Sequence, residues 1–315
     1  MAEIWTMGEL LCEVMRPQQD MPLNQTGVFY GPFPSGAPAI FIDTVARLGH
    51  TAGIVGGIGK DDFGKCLLER LEHDGVDCSQ IVEYDDGTTG VAFVTYFEDG
   101  SRRFLYHFAD TPATRPKAPD VGKLGNDVKY FHIMGCSLMA KKDFGQEILR
   151  LMRELAKNNI KVSFDPNIRL ELLKDETVYK QIEEVLQVCS VFFPGVEELL
   201  NISGKETIDA AIEHCFKNPA MEIIALKDGS NGCTIYTRDE SISLGVYPVD
   251  VKDPTGAGDC FDGAFLCGLL EKKTLKEAAE LATAVASLNT AAFGPMEGNI
   301  SKVMAESIIA ESELK

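Results

Sequence analysis

Basic side chains are scarce in this sequence of 315 residues. The 30 lysines and arginines face 48 aspartates and glutamates, so the formal net charge is −18. Nucleic acids and anionic membrane surfaces are bound through basic patches, so we expect neither of them as a partner. Apolar runs stay short of the roughly 18 residues that a membrane-spanning helix needs. No basic segment precedes the first apolar run, so we expect no secretory signal.

Clustered metal ligands are lacking as well. The nine cysteines and five histidines are scattered along the chain, and no two cysteines have CxxC spacing. A zinc site needs clustered ligands, and a disulfide framework needs an even set of cysteines at regular spacings. We therefore expect the cysteines to be reduced and mostly buried, which is typical of the cytoplasm.

The residues that are present follow a regular pattern. Hydrophobic residues make up 45% of the chain and charged residues 25%, as in ordinary globular proteins. Apolar runs that indicate buried strands alternate with segments whose apolar residues recur at helical spacing. The strand-like runs are residues 54–58, 130–134, 160–164, 191–193 and 223–226, and the helical segments are 61–74, 144–157, 178–188, 256–270 and 275–292. This alternation predicts an α/β fold with a parallel sheet covered on both faces.

Two regions interrupt the alternation. Residues 90–97 and 102–108 are β-like and are joined by the polar segment 98–101, which predicts a β-hairpin. Residues 7–15 are another strand candidate and precede a stretch rich in proline and glycine, 18–36. We therefore expect a small β-element outside the main sheet.

The most informative segment is DPTGAGDCFDGAF, residues 253–265, where a glycine turn leads into an apolar helix. Gly256 and Gly258 let the backbone approach a ligand closely. The N–H groups at the start of the helix can then bind a phosphate. Asp259 beside such a site would take the proton from an attacking hydroxyl. From these residues alone, an Asp that only offsets the helix dipole is an equally good interpretation.

Four segments of the chain, in their order and spacing, resemble the signatures of the ribokinase (PfkB-type) carbohydrate kinase family. Residues 253–265 match its long C-terminal signature, and GGIGKDDFG at 56–64 matches its first one. DPNIR at 165–169 and KDGSNG at 227–232 match two further family motifs. The resemblance extends over essentially the whole chain, so we expect one kinase domain over residues 1–315.

The resemblance implies a ribokinase-like αβα sandwich with a mostly parallel central sheet and a small β-sheet lid. The lid strands are expected within residues 7–34 and 88–110. The implied reaction is transfer of the ATP γ-phosphate to a sugar hydroxyl, usually a primary one. In this reaction Asp259 corresponds to the general base, and the backbone of Gly256, Ala257 and Gly258 corresponds to the anion hole.

The same resemblance assigns further residues to the two ligands. Asn167 and Arg169 correspond to substrate contacts, and the full motif favours this role over the alternative of a turn-capping Asn and a surface Arg. The implied nucleotide contacts are Lys227, Gly229, Gly232 and Asn289. For these the plain alternatives are an ordinary turn between strands and a solvent-facing Asn on a helix.

The family's metal motif is only partly present. Glu198 corresponds to the Glu of Asn-x-x-Glu, which serves Mg²⁺, but Gly195 stands at the position of the Asn. Mg²⁺ keeps several waters and often needs only one or two carboxylates, so activity is still expected. The family also often uses a monovalent cation such as K⁺ near the anion hole, and Asp253 is compatible with that role.

The sugar-binding positions depart from the family pattern. Glu13 stands where an Asp is usual, and Gly36 opens a turn in which Ile40 replaces an Asn. Phe108 stands where kinases of 2-keto-3-deoxygluconate or fructose commonly carry an Arg. The loss of that cation disfavours a sugar acid or a sugar phosphate. Whether the nearby aromatic residues stack on a sugar or fill the lid interface is left open.

The sequence therefore favours a kinase for a small neutral sugar, nucleoside or polyol, and it leaves open which hydroxyl is phosphorylated. The alternatives are a 2-keto-3-deoxygluconate kinase, a fructokinase, or a catalytically silent member that senses a sugar or nucleotide. A dinucleotide-dependent oxidoreductase is disfavoured because residues 56–59 lack the GxGxxG spacing. An exposed lid hairpin would be an unpaired sheet edge, so we also expect a homodimer that pairs through the lid.

Overall fold

The computed structural model describes residues 2–99, 101–169 and 177–314. The strands are β1 (Ile4–Met7), β2 (Leu11–Met15), β3 (Tyr30–Ser35), β4 (Ala52–Gly59), β5 (Asp77–Tyr84), β6 (Gly90–Tyr96), β7 (Arg102–His107), β8 (Tyr130–Met134), β9 (Lys161–Asp165), β10 (Cys189–Phe192), β11 (Ile223–Lys227), β12 (Cys233–Tyr236) and β13 (Ser241–Leu244). The helices are α1 (Ala37–Arg47), α2 (Asp62–His73), α3 (Gly135–Ala140), α4 (Lys142–Lys157), α5 (Thr177–Val188), α6 (Val196–Ser203), α7 (Ile208–Cys215), α8 (Ala257–Leu270), α9 (Leu275–Thr290) and α10 (Lys302–Glu311).

The larger sheet has nine strands in the order β13-β12-β11-β10-β9-β8-β1-β4-β5. The strands from β11 to β5 in this order are parallel, and β12 and β13 add an antiparallel edge. Helices α1, α2, α8, α9 and α10 pack on one face, and α3 to α7 pack on the other. Each face has its own apolar core, as expected for strands buried on both sides.

The smaller sheet has four strands in the order β3-β2-β6-β7. Its strands lie within or one residue beyond the two segments that the resemblance assigned to a lid. The hairpin β6–β7 pairs Phe93 with Leu105 and Ala92 with Tyr106, so alternate side chains face opposite sides of the sheet. The inner face of this sheet covers the carboxyl ends of the large sheet. We call it the lid.

The prediction of a single strand over residues 7–15 is wrong. The segment divides at Gly8 into β1, which lies in the large sheet, and β2, which lies in the lid. A Cβ on Gly8 would clash with the Pro38 side chain and lie 2.5 Å from Ser137 Oγ. The chain therefore passes from one sheet to the other at a point that only glycine can occupy.

All nine cysteines are free, and six of them are buried. This agrees with the expectation of reduced cysteines that act as small apolar residues. Within the part of the chain that the structure describes, no helix is both long enough and apolar enough to cross a membrane.

Candidate active site

A cavity lies between the lid and the carboxyl ends of the large sheet. The lid contributes Glu13, Arg102 and the aromatic rings of Phe104, Tyr106 and Phe108, and α1 contributes Gly36 at its start and Ile40. The large sheet and its helices contribute Asp165, Asn167, Arg169, Gly195, Glu198, Lys227, Gly256, Gly258 and Asp259. The cavity therefore brings together most of the residues that the sequence pointed to, from segments more than 200 positions apart.

The glycine turn before α8 has the geometry of an anion-binding site. Gly256 has φ +79°, and a Cβ there would lie 2.5 Å from the carbonyl oxygen of Pro295. The turn is therefore restricted to glycine, and it starts α8 at Ala257 with the backbone N–H groups of the first helical turn directed toward the cavity end of the helix. A Cβ at Gly258 would lie 3.5 Å from Lys227 Nζ, which adds a positive charge beside these N–H groups.

Asp259 is buried at the wall of the cavity, where its Oδ1 accepts a hydrogen bond of 2.9 Å from Asn167 Nδ2. Burial and the nearby Asp165 carboxylate raise the pKa of Asp259 to about 7, against the opposing effect of Arg169 and Lys227. A carboxyl group with such a pKa is half ionised near neutral pH and can accept a proton from a hydroxyl. The arrangement is therefore suited to general base catalysis.

Asn167 and Arg169, for which the sequence favoured a functional role, lie beside this base. Asn167 has φ +39° and is held by its N–H, which donates to Asp165 Oδ1 at 2.8 Å. Its Oδ1 is buried and has no partner among the described residues. The Arg169 guanidinium lines the cavity, and the pKa of this group is raised above its usual value by Tyr106, Cys136 and Asp259, which together outweigh the effect of burial. Neither residue is a plain surface or capping residue.

The ammonium group of Lys227 forms part of the site. From the sequence, we expected the turn at residues 227–232 to contact the nucleotide through its backbone instead. Nζ lies 2.8 Å from Asp165 Oδ2 and 3.1 Å from Asp262 Oδ1. Burial opposes the charge on Lys227, but the two carboxylates outweigh it and raise the pKa of the ammonium. Burial would raise the pKa of Asp165, but the same ammonium group outweighs this effect and lowers the pKa. The network holds a fixed positive charge under the anion-binding turn.

Glu198 lies in the cavity with both carboxylate oxygens already in contact with backbone. Oε2 accepts from the Gly195 N–H at 2.8 Å, and Oε1 accepts from the Ile168 N–H at 2.7 Å. Each oxygen keeps a second lone pair that can reach a water of a hydrated cation. Among the described residues, no cluster of three or more Asp, Glu, His or Cys side chains could hold a metal by itself. Glu198 is therefore suited to a metal that is held mainly by its own waters and by a ligand.

Two carboxylates lie at the end of the cavity next to the lid and the start of α1, where the resemblance places the sugar. Glu13 accepts a hydrogen bond of 2.7 Å from Ser35 Oγ, and its Oε2 is buried without a partner among the described residues. Burial raises the pKa of Glu13 to about 7. Glu9, which the sequence reasoning passed over, lines the same cavity and accepts from Ser137 Oγ and from Cys136 Sγ. Its sequence signal is the Gly8-Glu9 pair, which resembles the start of the family's Gly-Glu-x-x-x-Asp motif and to which no role was assigned.

The lid also contributes two residues that the sequence reasoning did not assign. Arg102 Nη1 donates to Thr255 Oγ1 at 3.1 Å, and Tyr96 OH donates to Asp253 Oδ1 at 3.0 Å. Both partners lie in the segment that leads into the anion-binding turn. Arg102 lines this cavity and also a second groove, so the lid places a guanidinium between the two.

The second groove adjoins the first at Pro254, Gly258 and Lys227 and has mostly apolar walls. Gly229 and Gly232 line it, as the resemblance implied for a nucleotide site, together with Val246, Tyr247, Val249, Phe261, Ala286, Ser287 and Thr290. An apolar groove that opens onto an anion-binding turn is suited to a nucleotide base. Asn289 was expected to contact the nucleotide or to face solvent, and both expectations are corrected. The residue is fully buried, and α9 lines the groove with Ala286, Ser287 and Thr290 instead.

The fold and this site define a phosphotransferase of the ribokinase-like type, and comparisons with known proteins agree. The family model "pfkB family carbohydrate kinase" matches residues 1–302. A curated relative, "Probable fructokinase-2" of Arabidopsis thaliana, is 31% identical over 87% of this chain and 84% of its own length. "Fructokinase-1" of Oryza sativa subsp. japonica is 29% identical over 95% of this chain and 96% of its own length.

Solved structures give the same result. The crystal structure of a putative Ribokinase II from E. coli, in its apo form, has a TM-score of 0.93 and 35% identity, over 98% of this chain and 99% of that one. The same E. coli protein in complex with ATP and Mg²⁺ has a TM-score of 0.92 and 34% identity over the same shares of both chains.

The chain belongs to the pfkB family of carbohydrate kinases. It is a transferase that phosphorylates a sugar at the expense of ATP, and its large parallel sheet and small lid confirm the ribokinase-like fold expected from the sequence. The oxidoreductase alternative is thereby excluded.

Proposed function

We propose that this kinase transfers the γ-phosphate of ATP to a hydroxyl of a neutral sugar of the fructose class. From the family resemblance, the hydroxyl is proposed to be a primary one. The observation that carries the proposal is the position of Asp259, whose pKa is about 7, between the sugar end of the cavity and the glycine turn. The choice of sugar class is supported by the relatives that are named fructokinases.

In the proposed reaction Asp259 takes the proton of the attacking hydroxyl, and the hydroxyl oxygen bonds to the γ-phosphorus as the bond to the ADP oxygen breaks. The backbone N–H groups of Gly256, Ala257 and Gly258 stabilise the charge on the transferred phosphoryl group. Asn167 holds Asp259 in place through the hydrogen bond of 2.9 Å. The second groove, bordered by Gly229 and Gly232, takes the nucleotide.

ATP would be bound as its Mg²⁺ complex, in which the metal neutralises phosphate charge. Glu198 would hold the metal through water, because its oxygens already accept two backbone N–H groups. Gly195 leaves room for such a water, since a Cβ there would meet only the Glu198 carboxylate at 3.4 Å. The departure from Asn at this position is therefore compatible with metal binding.

A neutral substrate is supported by the acceptors that face the sugar end. Glu13 Oε2 and Asn167 Oδ1 are buried acceptors without partners among the described residues, and sugar hydroxyls would satisfy them. A sugar carboxylate would instead approach the carboxyl groups of Glu9 and Glu13. The guanidinium groups of Arg169 and Arg102 line the cavity and could bind a sugar acid, so the substrate test includes a sugar acid.

The test is an ADP-release assay over D-fructose, other neutral hexoses and pentoses, nucleosides and 2-keto-3-deoxygluconate. We expect turnover with a neutral sugar, with D-fructose giving the highest kcat/KM. A parallel preparation of Asp259→Asn controls for a contaminating kinase. Preference for 2-keto-3-deoxygluconate would contradict the proposal of a neutral substrate. If none of the compounds in the panel led to ADP release, catalysis as a sugar kinase would be contradicted.

A homodimer through the lid and a cytoplasmic location also belong to the proposal. On the outer face of the lid, Leu105 is 48% exposed beside Phe93, which leaves an apolar patch for a second copy.

The free cysteines support a reducing compartment.

We expect Leu105→Asp to convert a dimer into a monomer when the mass is measured by light scattering. The control is Val303→Asp on α10, since Val303 is 73% exposed and lies away from the lid. A wild-type protein that is monomeric, or a Leu105→Asp variant that stays dimeric, would contradict pairing through this face.

A further inference from the structure

The side chain of Asn289 joins two backbone segments behind the anion-binding turn. Its Nδ2 donates to the carbonyl oxygen of Thr255 at 2.9 Å and to that of Pro295 at 3.1 Å. Asn289 is fully buried on α9 and lines neither the sugar cavity nor the second groove. Its amide is therefore a link within the protein and makes no contact with a ligand in these cavities.

The linked segments are the turn at Thr255–Gly256 and the loop 291–301 between α9 and α10. A Cβ on Gly256 would lie 3.2 Å from Asn289 Nδ2 and 2.5 Å from the Pro295 oxygen, so the turn, the amide and the loop are in direct contact. Arg47 on α1 anchors the loop from its other side by donating to the carbonyl oxygens of Met296 and Gly298. A shift of the amide would therefore move the turn that binds phosphate.

Asp253, the residue compatible with a monovalent cation, is also engaged. Its Oδ1 accepts from Tyr96 OH at 3.0 Å and from the Thr255 N–H at 2.9 Å, and its Oδ2 accepts from the Gly294 N–H at 3.0 Å. The carboxylate thus has three hydrogen-bond donors around it.

These contacts are a poor fit to a bound K⁺. A monovalent cation at this place would compete for the Asp253 carboxylate and for the carbonyl oxygens of Thr255 and Pro295, and a hydrogen-bond donor already points at each of these groups. Two carbonyl dipoles that converge repel each other unless a positive group lies between them. The amide hydrogens of Asn289 are such a group, and they are part of the chain itself.

We propose that Asn289 is a positioning residue that holds the anion hole in its working shape, so that this kinase needs no monovalent cation. The inference rests on phosphoryl transfer at the Gly256–Gly258 turn. It adds that the electrostatic role of the cation is taken by a neutral amide that bridges the two carbonyls. Because the amide is covalently fixed, the anion hole is formed at any concentration of K⁺.

The first experiment measures the wild-type enzyme in KCl, NaCl and tetramethylammonium chloride at equal ionic strength. We expect kcat, and the melting temperature of the complex with ATP and Mg²⁺, to be the same in all three salts. Activation of severalfold by K⁺ over tetramethylammonium would overturn the proposal. The melting temperature needs no sugar, so this arm can be read even if the sugar has been assigned wrongly.

The second experiment uses Asn289→Asp, which keeps the shape of the side chain and replaces the NH₂ donor by an oxygen. The new carboxylate and the two carbonyls form a set of oxygen ligands that repel one another without a cation. In tetramethylammonium we expect kcat to fall about 10- to 100-fold, because the anion hole shifts relative to the phosphate. K⁺ should restore most of this loss and raise the melting temperature by about 5 °C.

Asn289→Ala removes the amide and leaves space for a cation, so it should also become K⁺-responsive. The matched control is Asn218→Asp, since Asn218 Nδ2 donates to the Leu186 carbonyl oxygen elsewhere in the fold. That variant should show no response to K⁺. Full kcat without K⁺ in Asn289→Asp or Asn289→Ala would overturn the role of the amide. If neither variant folds, the salt series on the wild type still tests whether the enzyme needs a monovalent cation, and activation by K⁺ would overturn the proposal.

Discussion

Asp259→Asn is expected to lower kcat about 10³-fold, within the range of about 10² to 10⁴ that a general base contributes. The amide keeps an oxygen that can accept the hydrogen bond from Asn167, so the local structure is expected to persist. An amide cannot take the hydroxyl proton, and the loss therefore appears in kcat while the KM values for ATP and sugar change little. Steady-state kinetics of ADP release measure both.

The control for this variant is Asp262→Asn, one turn further along α8. Asp262 is as buried as Asp259 but does not line the cavity. It should keep kcat within about tenfold of the wild type, a loss far smaller than that expected from removal of a general base. If Asp259→Asn were no slower than Asp262→Asn, Asp259 would not be the base.

We expect kcat of the wild type to fall at acidic pH. Burial and Asp165 raise the pKa of Asp259 to about 7, so the basic form is present above this pH and is lost as the pH falls through it. We expect kcat to be constant above about pH 7 and to fall about tenfold per pH unit below. This acid limb should vanish in Asp259→Asn. An identical limb in the variant would assign the titration to another group, for which Glu13 is the first choice.

Lys227→Met is expected to lower the free energy of unfolding by about 3–5 kcal/mol, as when one partner of a buried ion pair is removed. The Lys227 side chain is 17% exposed, and its partners Asp165 and Asp262 are 4% and 0% exposed. Without the ammonium, two buried carboxyl groups lose their counter-charge. Urea unfolding followed by circular dichroism measures the change.

Lys161→Met is the matched control, because Lys161 pairs with Glu222 at 2.6 Å while both side chains are nearly half exposed. Exposed pairs contribute about 0–1 kcal/mol, so this variant should be close to the wild type. Equal effects of the two substitutions would contradict the stabilising role of the buried network.

The destabilisation of Lys227→Met should also depend on pH. In the wild type, Lys227 lowers the pKa of Asp165 against the effect of burial, so this pair stabilises the fold at neutral pH and loses its effect as the carboxyl group is protonated. The difference between wild type and variant should therefore be largest near neutral pH and narrow below about pH 4.

The local sequence predicts much of this molecule because its signals are local. The helix expected over 61–74 is found as α2, with Asp61 capping it through the N–H groups of Phe63 and Gly64. The strand expected over 130–134 is found as β8 with the same bounds. In both cases periodicity and capping lie within one segment, which a linear pattern can report.

Positions whose surroundings come from distant segments were not predicted. Residues 7–15 have the apolar character of a strand throughout, and only the packing of Pro38 and Ser137 around Gly8 divides them between two sheets. Helix α1 was missed because the residues around Ile40 were interpreted as an altered sugar-binding turn, although this segment is the beginning of the helix.

By itself, the sequence determined the alternation of strands and helices, the glycine turn with Asp259, and the family, since each depends on residues that are close along the chain. Tertiary structure alone decided what the other polar groups do. It placed the Lys227 ammonium between Asp165 and Asp262, and it turned the Asn289 amide toward two backbone carbonyls. A buried polar side chain takes its role from the partners that packing supplies, and those partners lie up to 62 positions away for Lys227.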